Sequence, residues 1–182
     1  NGDLFWGLRG GGGNFGVVTR FSFEASAVGT VVAGSVTYGL NDVAGMLQGW
    51  RDHLRTADER LTSVFTLLPA FPHTPPAVVV ACCFNGPEDQ ASAAVQPLRQ
   101  LSEALQDTIG PKYYTDLLES ARRPPSMHVI ERNGFAKELN EELIERIAQQ
   151  ATAGSLGILQ LHSLGGAMNR VLQRGERGVG LF

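Results

Sequence analysis

The chain has 182 residues, 43% of them apolar and 18% charged, with a formal net charge of −3 at pH 7. Such a composition is that of a soluble globular domain that buries roughly 70% of its unfolded surface around one core. The slightly acidic balance argues against nucleic acid as a partner, and the longest clean apolar run, Ala77 to Phe84, falls far short of the ~20 residues that cross a bilayer, so no membrane partner is expected.

In chain order, Asp3 to Arg9 reads as a short capped helical turn, and Val17 to Glu24 alternates as a strand. Val31 to Tyr38 is β-branched and predicts a second strand. It leads to a helix over Asp42 to Ala57 with Val43, Leu47, Trp50, Leu54 and Ala57 on one face and Asn41 placed to cap it. Strands over Leu61 to Leu68 and Ala77 to Phe84 flank a proline-rich loop and are expected to pair as a long-looped hairpin.

A helix is expected to start at Pro87, where the missing N–H costs nothing, with Ala91, Ala94, Val95, Leu98, Leu101 and Leu105 inward and Pro97 kinking or interrupting it. A turn at Gly110-Pro111 precedes a short helix over Tyr113 to Ala121. Met127 to Ile130 is a strand candidate, and Asn140 to Ala153 reads as a helix with Leu143, Ile144, Ile147, Ala148 and Ala151 inward. Leu156 to Leu164 is the last strand. These elements predict an α+β fold, a single largely antiparallel β-sheet with α-helices packed on one face, followed from Asn169 by a polar, glycine-rich tail.

The run Arg9-Gly10-Gly11-Gly12-Gly13-Asn14-Phe15-Gly16 demands a backbone reason, because glycine raises the entropy lost on ordering but lets a ligand approach the main chain closely. Gly11, Gly13 and Gly16 satisfy G-x-G-x-x-G in letters. Their context does not, since a dinucleotide fingerprint needs a strand before and a helix after, and here the order is reversed. Neither does an acidic residue stand about 20 positions downstream to read a ribose hydroxyl.

Asp3-Leu4-Phe5-Trp6 with Arg9 to Thr19 resembles the FAD-linked oxidases of the berberine-bridge-enzyme-like family, within the wider vanillyl-alcohol-oxidase (PCMH-type) flavoprotein fold. Gly86-Pro87-Glu88, Pro97-Leu98-Arg99, Ile109-Gly110-Pro111, Lys137-Glu138-Leu139 and Leu164-Gly165-Gly166-Ala167 extend the likeness along the chain. The resemblance implies residues 1–20 as the tail end of an FAD-binding domain, 21–168 as a substrate-binding α+β domain and 169–182 as a loose tail. It places Gly11, Gly12, Gly13, Asn14, Phe15, Gly16, Val17 and Val18 against FAD. In such enzymes an earlier segment carries the histidine, and often the cysteine, that attach flavin. The chain is therefore expected to be a fragment whose partners are the missing FAD-binding segments, inactive alone and not retaining FAD.

The same resemblance makes the sheet face away from the helices the roof of the flavin ring, with a small organic substrate between. Strand period in Leu156 to Leu164 then nominates Gln160 and His162 for that face, His162 to orient a substrate hydroxyl or accept a proton. The alternative is an ordinary hydrogen-bonded strand histidine. Arg132 stands roughly where relatives carry a lysine on the open face; the alternative is a solvated pair with Glu131.

No catalytic residue is assignable, and no pair among His53, His73, His128 and His162 has metal-ligand spacing, so no metal is expected. Cys82 and Cys83, being adjacent, staple nothing and read as small core hydrophobes suited to a reducing, cytoplasmic compartment, although secreted members of the family exist. An exposed sheet face also makes self-association an expectation. The function expected is part of an FAD-dependent oxidase that transfers a hydride from substrate to flavin; the alternative is a non-catalytic α+β ligand-binding or dimerisation module.

Overall fold

The computed structural model describes residues 2–24, 27–118 and 130–164. Two compact units divide between Ala27 and Val28 and again after Ser163. The tail from Asn169 and most of the strand candidate Met127 to Ile130 lie outside the described residues, and Ile130 itself is exposed and irregular.

The unit from Val28 to Ser163 is built on one six-stranded antiparallel sheet. Strand β1 is Thr30–Tyr38, helix α2 Val43–Thr56, β2 Leu61–Leu68, β3 Ala77–Phe84, α3 Glu88–Arg99, β4 Ala104–Asp107, β5 Gly110–Tyr113, α4 Glu141–Thr152 and β6 Leu159–His162; α1, in the other unit, is Gly2–Leu8. The order across the sheet is β4-β1-β3-β2-β6, with β5 also pairing β1. The expected hairpin is present as β2 and β3, paired from Leu61↔Phe84 to Leu68↔Ala77.

Alternation sorts the strands into two faces, because residues directly opposite in antiparallel strands point to the same side. Val36 and Tyr38 of β1, Phe65 and Leu67 of β2 and Val78, Val80 and Phe84 of β3 share one face. They close a core with Met46, Leu47 and Trp50 of α2, Val95 and Leu98 of α3 and Ile144 and Ile147 of α4. Helices on one side of a largely antiparallel sheet make the α+β architecture that the sequence predicts.

Polar bonds fix the helices on that face. Tyr38 donates its phenol to the carbonyl of Leu98, and burial pushes that phenol up to about 12, which keeps it a donor at neutral pH. His53 Nε2 lies 2.8 Å from the Ala94 carbonyl and ties α2 to α3. Arg51, with its side chain only 12% exposed, donates to Glu141 at 2.7 Å and to the Leu139 carbonyl at 3.1 Å, joining α2 to the entry of α4.

Several local expectations are corrected. Helix α2 is capped by Asp42, whose carboxylate accepts from the Gly45 amide at 2.9 Å, and not by Asn41; the first helical residue is Val43, which makes Asp42 the flanking position. Pro97 does not interrupt α3, since it falls in the last turn, where at most one backbone bond is lost before the helix ends at Arg99. Leu105 is 69% exposed on β4 and takes no part in the helix face.

Gly110-Pro111 is not a free turn but the start of β5, and the helix expected from Tyr113 is a 3-10 turn over Tyr114–Leu117. The strand expected over Val17 to Glu24 does not form. Alternation makes a strand only when a neighbour supplies the ladder, and Val17, Phe21 and Phe23 are 93%, 66% and 84% exposed. Within the segment the rings of Phe21 and Phe23 stack 5.8 Å apart.

Candidate functional site

The face of the sheet opposite the helices is built in rows that cross the strands. One row reads Gln160, Thr66, Val79, Thr37 and Gln106 from β6 to β4. The adjoining row reads His162, Val64, Ala81 and Ser35. A third carries Thr62, Cys83 and Ala33. Inner positions of these three rows hold nothing larger than valine or threonine, so the floor is low there. It also mixes hydroxyl and methyl groups, whereas the helix side is aromatic and aliphatic.

Gln160 and His162 are exposed, while Leu159 and Leu161 turn to the core, the orientation that strand period predicts. The strand is shorter than expected, Leu159–His162 instead of Leu156 to Leu164, because among the described residues β6 pairs only with Val64 to Leu67 of β2. At the opposite edge Ser35 and Thr108 bond each other: the Ser35 amide donates to Thr108 Oγ1 at 3.0 Å and the Thr108 amide donates to the Ser35 carbonyl at 2.9 Å. This clasp turns the chain from β4 into β5.

Cys83 lies half-buried on the open face and Cys82 on the core side. Burial pushes the Cys82 thiol up to about 12 and raises Cys83 as well, so both are held as thiols at neutral pH. Arg132 is exposed in an irregular segment, not on a strand, and the sheet rows do not include it. Sequence reasoning missed Thr37, Thr62 and Gln106 as members of this face. Alternation was available to find the first two, but the register that aligns them with Gln160 was not.

The glycine-rich loop belongs to the other unit. Helix α1 ends in Leu8, the Gly11 amide donates to the Gly7 carbonyl at 2.8 Å, and Gly12–Phe15 form a 3-10 turn steadied by Asn14 Nδ2 donating to the Gly11 carbonyl at 3.0 Å. A side chain at Gly11 would collide with the Phe15 ring at 2.1 Å. Gly12 and Gly16 instead adopt φ of +63° and +112° with open space where a Cβ would stand. A bare, exposed backbone of this kind leaves room for the close approach of a large anionic cofactor.

No protein-family model matches the chain. In sequence it is 28% identical over 177 residues to an uncharacterized FAD-linked oxidoreductase of Bacillus subtilis (strain 168), a match that covers 93% of this chain and 38% of that protein. It is 31% identical over 120 residues to (R)-6-hydroxynicotine oxidase of Paenarthrobacter nicotinovorans, covering 64% of this chain and 26% of that one. In structure it resembles the crystal structure of 6-hydroxy-D-nicotine oxidase from Arthrobacter nicotinovorans with a TM-score of 0.57 and 26% identity, over 65% of this chain and 26% of that chain. The chain therefore spans well under half the length of the proteins it matches, and in sequence and fold it is a homologue of one portion of the FAD-linked oxidoreductases.

Proposed function

We propose that this chain is the substrate-binding portion of an FAD-dependent oxidase acting on a small organic molecule, with the narrower kinship to berberine-bridge-enzyme-like oxidases that its glycine-rich motif suggests. The observation that carries the reading is the open sheet face, rowed with hydroxyl and amide groups, in a chain homologous to FAD-linked oxidoreductases. Gly11 to Val18 would hold FAD by their main chain, where Gly12 and Gly16 leave the backbone bare. FAD, when bound, accepts the hydride that a substrate loses.

The side chains of this chain then bind and orient. Gln160 donates and accepts hydrogen bonds and so fixes a polar group of the substrate at the β6 edge. His162, exposed beside it on the same strand face, accepts the proton that a substrate hydroxyl releases. Arg132, exposed in an irregular segment outside the sheet rows, would add a further substrate contact.

Exposed apolar side chains in the first unit, among them Phe5 at 63%, Trp6 at 58% and Phe23 at 84%, would meet further FAD-binding segments; in the chain alone they favour self-association. The test is to express the natural coding region that contains these residues. A yellow protein whose flavin is bleached anaerobically by a small-molecule substrate and recovers in air supports the reading. A product that takes up no FAD overturns it.

A further inference from the structure

The pair Asn-Gly occurs at Asn1-Gly2, Asn85-Gly86 and Asn133-Gly134. Asn1 lies outside the described residues, and the fold treats the other two pairs differently. In such a pair the glycine amide nitrogen, with no Cβ beside it, swings onto the asparagine carboxamide carbon wherever the backbone is free to rotate. Asn85-Gly86 is held. Asn85 directly follows β3, its amide donates to the Arg60 carbonyl at 3.0 Å, and Pro87 stands at the start of α3. A Cβ at Gly86 would lie 2.7 Å from the Phe84 ring and 2.9 Å from the Arg60 guanidinium, so turning this backbone means opening the junction of sheet and helix. Asn133-Gly134 is not held. Residues 131–138 are exposed and outside helix and strand, and nothing stands within 4 Å of where a Gly134 Cβ would be. Among the described residues no hydrogen bond reaches the Asn133 carboxamide or the Gly134 amide. The next fixed points along the chain are Glu138, paired with Arg55, and Leu139, whose carbonyl accepts from Arg51.

We infer that Asn133 is a modification site, at which the folded chain deamidates itself while Asn85 is protected. The Gly134 nitrogen gives up its proton to solvent and bonds to Cγ of Asn133. The Cγ–Nδ2 bond then breaks, and ammonia leaves with a proton taken back from solvent. Water opens the resulting five-membered ring at one of its two carbonyls, which leaves an aspartate or, with the backbone routed through Cγ, an isoaspartate. The balance is one water consumed and one ammonia released, with no oxidant or cofactor. Exposed chain with few contacts is where such a rotation costs least. The new carboxylate stands next to Arg132, the cation given above to the substrate. Resting on that reading, the aged chain meets its substrate with this cation countered by an adjacent anion.

The experiment incubates the 182-residue chain at mildly alkaline pH and follows each asparagine by peptide mass mapping. In the folded chain position 133 is expected to convert at least about tenfold faster than position 85. In guanidinium the two should convert together, since only the fold separates them. Gly134→Ala has room for its methyl group and is expected to slow conversion at 133 at least about fivefold with the thermal melt unmoved. Equal rates at 133 and 85 in the folded chain, or conversion first at 85, would overturn the modification site. In the enzyme from the natural coding region, Asn133→Asp is expected to raise KM about threefold and keep kcat. An unchanged KM would overturn the part given to Arg132 and leave the modification site standing.

Discussion

Trp50 of α2 donates its indole N–H to Ser63 Oγ of β2 at 2.9 Å, and Ser63 in turn donates to the Ala81 carbonyl of β3 at 2.9 Å. The serine is 1% exposed, the one hydroxyl that the helix-side core admits on β2. It passes one hydrogen bond through from helix to sheet, so every polar group in the chain of contacts is satisfied. Ser63→Ala is expected to strand the indole N–H and cost about 1–3 kcal/mol. Urea unfolding followed by tryptophan fluorescence checks this. Trp50→Phe combined with Ser63→Ala should cost less than the sum of the two single changes, because the stranded donor is then gone.

Gly34 sits in β1 at φ +149°, and a Cβ there would meet the Thr108 carbonyl oxygen at 2.4 Å. That contact lies at the corner where β4 gives way to β5, beside the clasp of Ser35 with Thr108. Gly34→Ala is therefore expected to cost about 1–3 kcal/mol in backbone strain before any clash is counted. The loss should be local. Amide exchange is expected to speed up at Thr108 and Ile109 while the β2–β3 pairing, from Leu61 to Ala77, keeps its protection.

The long elements were legible because each carries one period for its whole length. Val43, Leu47 and Trp50 step along α2, Ile144 and Ile147 along α4, and β2 and β3 alternate over eight residues apiece. Strands β4 and β5 were not, for a physical reason: four residues at a sheet edge, all of them exposed in β4, have no buried face to imprint a pattern. The segment from Val17 failed in the opposite way, with pattern but no partner. At the site, period alone set Gln160 and His162 on the open face. Only register joins Gln160 to Thr37 and Gln106, because no local rule of the chain states which residue of β1 lies across from which residue of β3.

Cysteine reactivity follows the two faces of β3. Cys82 is 6% exposed in the core, with its thiol pushed up to about 12 by burial, while Cys83 is half-buried on the open face. Both are therefore protonated at neutral pH, and the native chain is expected to react slowly with a disulfide reagent. One thiol should be modified first, and peptide mapping should identify it as Cys83. Guanidinium is expected to release the second at the rate of unfolding. Rapid modification of Cys82 in the native state would contradict the packing of β3 against the helices.

Asp58 should contribute to the acid sensitivity of the fold. Its carboxylate accepts from Arg60 Nε at 2.9 Å and from Arg60 Nη2 at 2.6 Å, and the Arg60 guanidinium also lies 5.0 Å over the Phe84 ring. The side-chain hydrogen bond from Arg60 is the main cause that lowers the Asp58 carboxyl to about 2 from 3.8. A carboxyl held lower in the folded chain than in the unfolded one binds fewer protons when folded. Its contribution to stability is therefore complete above about 4 and is lost as pH falls through about 2. Because the pair is largely exposed, the effect should be small and should shrink in high salt. Asp58→Asn is expected to flatten the stability profile between pH 4 and pH 2 while leaving stability at pH 7 little changed. Thermal melts across that range in low and high salt read both effects, and an unchanged acid slope in the variant would assign the acid response to the carboxylates that face Arg51, Asp52 and Glu141, which are also lowered.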